Sequence, residues 1–337
     1  MTKERRRILD MLAAGKVTVE EAEHLLEVLQ GTRKRHRTIP NVEVLQDSLE
    51  GLEEIPNVEA LQDSSEAPES DNDARDQDGK AARRDDTFAV GDNPRLVVRG
   101  FNGRIRVHAG ESGSIHVRAR LKKPREIQYS ATQEGDFVAV EAKPDRPSAG
   151  FPHGFSRQHP GANIEVTVPV TTSVDLATSN GPVELRGTER GGTVQTKNGP
   201  IRVEQFKGAL NATTQNAPLA IKTLSGSAEL ATSNGRVSIE DAHGCFNART
   251  TNGTIKFQGS LAPGNSNRLS TTNGNIKVAL DAEPSLALTA ATTNGRVRCE
   301  VPGFVASVEK RHKLEGTIGE GEAELIAQTS NGSIALQ

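Results

Sequence analysis

Thr178-Ser179-Asn180-Gly181-Pro182-Val183-Glu184-Leu185 is answered one unit later by Thr196-Lys197-Asn198-Gly199-Pro200-Ile201-Arg202-Val203, and the same Thr-x-Asn-Gly pattern recurs to the end of the chain. Its asparagines fall at Asn180, Asn198, Asn216, Asn234 and Asn252 in steps of 18, then at Asn273 and Asn294 in steps of 21. Asn331 follows after a gap of 37, which fits two units if Glu315-Gly316-Thr317-Ile318 marks a degenerate copy between them. A fixed period near 20, made of strand-length pieces, is the signature of a solenoid.

Within a unit the apolar side chains alternate, as in Ile201 and Val203 and then Leu210 and Ala212, so one face of each strand points inward. Gly187, Gly208 and Gly244 supply corners between the pieces. Asn-Gly is a tight-turn dipeptide because both residues tolerate positive φ. It would serve an antiparallel hairpin equally well, and the constant period is what favours stacked rungs. Rungs about 4.8 Å apart would align the asparagines vertically, letting their amides bond along the axis as in cross-β ladders. The eight asparagines from Asn180 to Asn331 are therefore expected to be a structural ladder. The competing idea is a flat ligand-binding face. The residue after Gly varies (Pro182, Pro200, Arg236, Thr254, Asn275), which argues against one ligand read identically at every rung.

Upstream, residues 88–170 share the alternation, and Phe101-Asn102-Gly103-Arg104-Ile105-Arg106-Val107 matches the later copies. An insertion at 144–161 breaks the period and carries Phe151, His153, Phe155 and His159. Two histidines six residues apart, with no third ligand nearby, do not make a metal site. Phe151 and Phe155 are the aromatics that folding explains least, and they are candidate interaction residues.

Composition agrees with a narrow core. The 337 residues include one Tyr, nine Phe, no Trp and 32 Gly. A large aromatic core is excluded, as is a single-strand nucleic-acid platform, which needs successive aromatic faces. The core is expected from Val, Ile, Leu and Ala. Charge divides the chain: residues 1–86 hold 13 basic and 21 acidic side chains, and residues 87–337 hold 28 and 23. The basic excess of the second part is thinly spread along the sequence and reads as solvated surface.

Residues 1–31 read as a helical hairpin, with Leu9, Leu12, Leu25 and Leu29 on its apolar stripe and Thr18 and Glu21 forming a capping box. So small a unit buries too little surface to stand alone. Its stripe is expected to dock on this chain, on a second copy or on another protein. Residues 32–86 form an acidic segment too poor in apolar residues to fold. Ile39-Pro40-Asn41-Val42-Glu43 returns within it as Ile55-Pro56-Asn57-Val58-Glu59. The repeat domain is assigned to 87–337. Cys245 and Cys299 lack partners at metal or disulfide-framework spacing. The N-terminus lacks the form of a secretory signal, and no stretch approaches the roughly 20 apolar residues of a membrane span, so a cytoplasmic location is expected.

Taken with Ile164-Glu165-Val166-Thr167-Val168-Pro169 and Asp175-Leu176, the Thr-x-Asn-Gly copies resemble the bacterial putative-adhesin family of β-strand-repeat proteins. The run Glu4-Arg5-Arg6-Arg7-Ile8-Leu9 with Gly15-Lys16 and Leu25-Leu26 resembles the short helical-hairpin (SHOCT-like) module that precedes many of them. The resemblance implies a mostly β fold, a single-stranded right-handed β-helix of about 18–21 residues per rung. It also implies no assigned enzymatic activity and an association with cell-envelope stress. The acidic residues Glu184, Glu204, Glu229, Glu240 and Asp241 fall in different phases of the rung, so no paired-carboxylate centre is expected. No cofactor is expected either. The leading expectation is a non-enzymatic scaffold whose hairpin self-associates or docks a protein partner. The alternatives are a surface-exposed ligand-binding adhesin and a solenoid that polymerises end to end, the latter because the last copy stops at Gln337 with nothing to cover its edge.

Overall fold

The computed structural model describes residues 81–145, 159–281 and 284–337. The expected hairpin with Leu9, Leu12, Leu25 and Leu29, the duplicated linker motif, and Phe151, His153 and Phe155 lie outside the described residues. The segment assigned to the linker ends earlier than residue 86. Ala81–Ala89 is already a strand, β1, held by pairing along its whole length to a later one.

The described chain is almost entirely β. After β1 come β2 (Arg95–Arg99), β3 (Ile105–Ala109), β4 (Ser114–Lys122), β5 (Ile127–Glu134), β6 (Phe137–Pro144) and β7 (Gly161–Val168). Next are β8 (Ser173–Thr178), β9 (Val183–Arg186) and β10 (Gly192–Thr196). The long strands β11 (Ile201–Thr214), β12 (Leu219–Thr232) and β13 (Val237–Asn252) each make nearly a whole rung. The chain continues through β14 (Ile255–Leu261), β15 (Ser266–Asn273), β16 (Ile276–Leu280), β17 (Leu286–Asn294) and β18 (Val297–Cys299). It finishes with β19 (Phe304–Lys310), β20 (Lys313–Ile318), β21 (Ala323–Asn331) and β22 (Ile334–Leu336).

Successive units pair in parallel and in register, Ile201 with Leu219 and Leu219 with Val237, which separates stacked rungs from a hairpin meander. Each long rung bends at equivalent places. Gln205, Thr223 and Asp241 sit in the left-handed region at φ 54°, 55° and 52°. Three residues later come Gly208, Gly226 and Gly244. At Gly244, φ is +143° and an added Cβ would stand 1.7 Å from the Gly226 carbonyl oxygen, so only glycine fits this corner of the stack. The third bend is the Asn-Gly turn.

The interior is aliphatic with one departure from expectation: Phe206 and Phe246 are among the largest fully buried side chains. Their neighbours give the reason. Phe206 stacks over Leu224 and then Ala242, while Phe246 stacks over Ala228 and then Leu210. Large and small residues thus exchange places from rung to rung, which keeps the narrow core filled. Phe246 also meets Phe257 of the next rung, centroids 5.2 Å apart.

Rung order departs from chain order at both ends. Strands β2 and β3 lie between β6–β7 and β8–β9. Strands β21 and β22 lie between β15–β16 and β17–β18. The last copy is therefore an interior rung. Glu315–Ile318 is not a degenerate copy but part of β20, antiparallel to β17 and β19. The other end is likewise finished by antiparallel strands, β5 on β6, β4 on β7 and β1 on β4. Every copy carries the same pairing edges, so a periodic motif specifies a rung without specifying its place. The bare terminal edge expected from the chain's last residues does not exist. Both ends instead finish in strands running against the stack, of which β1, β5 and β19 each pair on one side.

Candidate functional site

The recurrent turn is a three-part joint. Its first residue, Thr, turns inward and is buried. In seven of the eight copies its hydroxyl donates to the carbonyl after asparagine on the adjacent rung, a glycine except at Ala217. The Thr178 hydroxyl is buried without a partner among the described residues. Thr214 reaches Gly199 O at 3.2 Å, Thr250 reaches Gly235 O at 3.0 Å, and Thr329 reaches Gly274 O at 2.9 Å. The glycine makes the close approach possible, since a Cβ on Gly199 would lie 1.8 Å from Gly181 O. Proline at 182, 200 and 218 follows naturally: a carbonyl at this place accepts from the preceding rung of the stack, as Pro200 O does from Val183 N. A missing N–H removes nothing from those bonds.

The asparagine side chains stand outward in one row. Asn180 Nδ2 donates to Asn102 Oδ1, Asn198 to Asn180, Asn216 to Asn198, Asn234 to Asn216, and Asn252 to Asn234, all at 2.8–3.0 Å. Asn273 donates to Asn252, Asn331 to Asn273, and Asn294 to Asn331, each at 2.8 Å. All eight bonds point the same way, an arrangement in which each bond polarises the next. The structure places Asn331 between Asn273 and Asn294, so the order in space differs from the order in sequence. Asn102 is a ninth member that the site expectation left out, although its Phe101-Asn102-Gly103-Arg104-Ile105 context carried the signal.

A second feature was missed in the sequence. An open groove of about 540 Å³ crosses β8, β10, β11, β12 and β13. It is lined at one phase of the repeat by Ser173, Gly191, Ala209, Ser227 and Cys245 and two residues on by Asp175, Thr193, Asn211, Glu229 and Asn247, both at steps of 18. The signal was the absence of bulk at one phase of the repeat. Asp175 is held bidentately by Arg99 at 2.7 and 2.8 Å. It stands three rungs from Glu229, about 14 Å at strand spacing, beyond the roughly 9.5 Å upper limit for a glycosidase carboxylate pair. Among the other groups, burial pushes the Cys299 thiol up from its ordinary value, which lowers its thiolate fraction near neutral pH. The Tyr129 phenol is also raised, by burial and then by the Asp86 carboxylate to which it donates at 3.0 Å.

In-register rungs, inward threonines and an outward amide ladder define a β-solenoid whose repeated polar residues are consumed by one another. The chain belongs to the Toastrack DUF4097 family, whose profile matches residues 95–337. A SHOCT-like domain profile matches residues 3–34. Among solved structures, a putative adhesin from Bacteroides fragilis is similar at 12% identity, covering 76% of this chain and 97% of that one, with a TM-score of 0.43. A putative cell adhesion protein from Clostridium sporogenes is similar at 10% identity over 75% and 98% of the two chains, TM-score 0.26. A putative lipid binding protein from Parabacteroides distasonis is similar at 10% identity over 76% and 96%, TM-score 0.32. A search of curated proteins finds no match. Among the described residues, no helix is long and apolar enough to cross a membrane.

Proposed function

We propose that the protein is a non-enzymatic scaffold. The solenoid is a stiff platform, and the SHOCT-like segment, through Leu9, Leu12, Leu25 and Leu29, self-associates or docks a protein partner at the cell envelope. The observation that carries this reading is the asparagine ladder. Its eight bonds, with the buried threonine bonds behind them, tie the rungs from Asn102 to Asn294 together. The most repeated polar groups thus build stiffness rather than present chemistry. Right-handed winding, which parallel crossovers adopt almost without exception, belongs to the same reading. End-to-end polymerisation loses the ground it was expected on, because the last copy is paired on both sides. Segment 35–80 would act as a tether that raises the local concentration of whatever the SHOCT-like segment binds.

The test compares the full chain with its Leu25→Asp/Leu29→Asp variant by sedimentation and by co-purification. Loss of self-association or of a co-purifying protein, with an unchanged solenoid circular-dichroism spectrum, is expected. An unchanged oligomeric state together with unchanged partners sinks the proposal.

A further inference from the structure

One column of outward side chains runs the length of the stack, and register places its members side by side. In spatial order it reads Glu165, Arg106, Glu184, Arg202, Ala220, Ser238, Lys256, Lys277, Ala335, Arg298. At one end the signs alternate and pair: Arg106 meets Glu184 at 2.8 Å and Glu165 at 3.8 Å, and Arg202 meets Glu184 at 3.8 Å. The Glu184 bond, foremost, holds the Arg106 guanidinium above its usual value. At the other end the signs no longer alternate. Lys256 and Lys277 are direct register neighbours, an arrangement that costs stability when nothing stands between the charges.

Two more cations extend this strip. Arg296 is exposed two residues before Arg298 on the same face. Arg311, also exposed, gives its carbonyl to Val297 N at 3.0 Å, which brings the β19–β20 turn against β18. Among the described residues none of these five cations is paired with a carboxylate. The adjacent column shows that the repeat can neutralise itself, since Arg186, Glu204, Lys222 and Glu240 alternate in register. Thin spreading along the sequence, at steps of 21, becomes concentration in space.

We propose that this strip is a binding site for a linear polyanion carrying phosphate groups, laid along the solenoid axis. Lys256 to Arg298 spans three rungs, roughly 14 Å at strand spacing, in a band two residue columns wide, with Arg296 beside Arg298. That shape matches a single charged chain. A lipid bilayer would instead meet the neighbouring column as well, where Glu240 and Glu300 are exposed. The strip carries no aromatic side chain, so it offers no stacking platform for nucleic-acid bases. Thr254, Asn275 and Ser333, alongside the cations, add hydrogen-bond donors. The inference is independent of the scaffold reading and of the SHOCT-like segment.

The test uses the full chain and long-chain inorganic polyphosphate, with affinity followed across a salt series. Wild type is expected to bind with a log–log salt slope of about −3 to −4, as counterion release by four to five cations requires. Lys277→Glu should weaken binding about tenfold and flatten the slope. In polyanion-free buffer the same change should raise Tm, because it converts a repulsive register pair into an attractive one. Lys256→Gln/Lys277→Gln repeats the test without charge reversal. Arg202→Ser, in the same column at the neutralised end, should leave affinity within about twofold. Unchanged affinity in both lysine variants overturns the proposal, as does equal loss in Arg202→Ser. Phosphatidylglycerol vesicles that bind through Lys277 where polyphosphate does not bind would also overturn it, in favour of a membrane face.

Discussion

Asn331 donates its side-chain amide to Asn273 at 2.8 Å and receives one from Asn294 at the same distance, although Asn294 precedes it by 37 residues. The final strand pair fills a slot that β17 and β18 have stepped over. Parallel ladders on both sides hold it there: Leu325 and Ala327 pair with residues of β15 and of β17.

Removal of residues 321–337 should therefore cost far more than the loss of a terminal strand usually does. Both flanking rungs lose their partners, and the cooperative melt of the solenoid should broaden or shift to lower temperature. A synthetic 321–337 peptide added in trans should restore it, with binding read by anisotropy of the labelled peptide. A truncated protein that melts like the full chain would show that the slot is not structural.

The ladder has a direction, and charge should reveal it. Asn216→Asp keeps an acceptor for Asn234 but removes the donor to Asn198, and is expected to cost about 1–2 kcal/mol in urea unfolding. Asn102→Asp sits at the accepting end, where Asn180 donates to Oδ1. A carboxylate there strengthens that bond but gives up the 3.3 Å bond from Asn102 Nδ2 to the Pro160 carbonyl, so the change should cost less than Asn216→Asp. Equal losses at both positions would mean that the amides are not aligned as described.

Gly199→Ala should be among the most damaging small changes, because its Cβ would lie 1.8 Å from a backbone oxygen that the ladder holds fixed. A cost above about 3 kcal/mol is expected. At Gly113, which has nothing within 4 Å of a new Cβ but a φ of +86°, the same substitution should cost only about 1 kcal/mol through backbone strain. Thermal melts of the two variants make the comparison.

Thr223 occupies the left-handed region at φ 55°, where a β-branched side chain is strained. Thr223→Asn should stabilise the protein by about 1 kcal/mol, since asparagine tolerates this conformation. A loss of stability would place an unrecognised contact on the threonine methyl.

Tyr129 is the chain's single tyrosine, so tyrosinate absorbance reports on it alone. Its folded-state pKa is raised by burial and by Asp86, above an unfolded value near 10. The stability linked to it is fully present below about pH 10 and declines as pH rises beyond, because the unfolded chain ionises first. Alkaline titration should show no tyrosinate at the ordinary midpoint until the fold gives way. Tyr129→Phe should remove this part of the alkaline loss.

Much of the architecture was legible in residues 178–336. Spacing of 18 and 21 declared stacked rungs, alternation declared one inward face, and repetition of asparagine pointed to a ladder. Each of these is a local property, the same in every copy and readable from any one of them. Three aromatic residues, Phe206, Phe246 and Phe257, escaped the core forecast because their fit depends on what lies above and below them, as with Phe206 over Leu224 and Ala242. Asn102 escaped the ladder because it stands 78 residues before its partner Asn180.

What the sequence by itself determined is thus the rung: its length, its bends, and the threonine, asparagine and glycine that join it to the next. Tertiary structure alone decided the order of the rungs, the antiparallel strands at both ends, and the place of Ala335 between Lys277 and Arg298 in the cation column. The physical reason is that identical edges pair equally well with any neighbour. Local chemistry then leaves the order open, and only the packing of the whole stack, with its caps and its one vacant slot, selects among the arrangements.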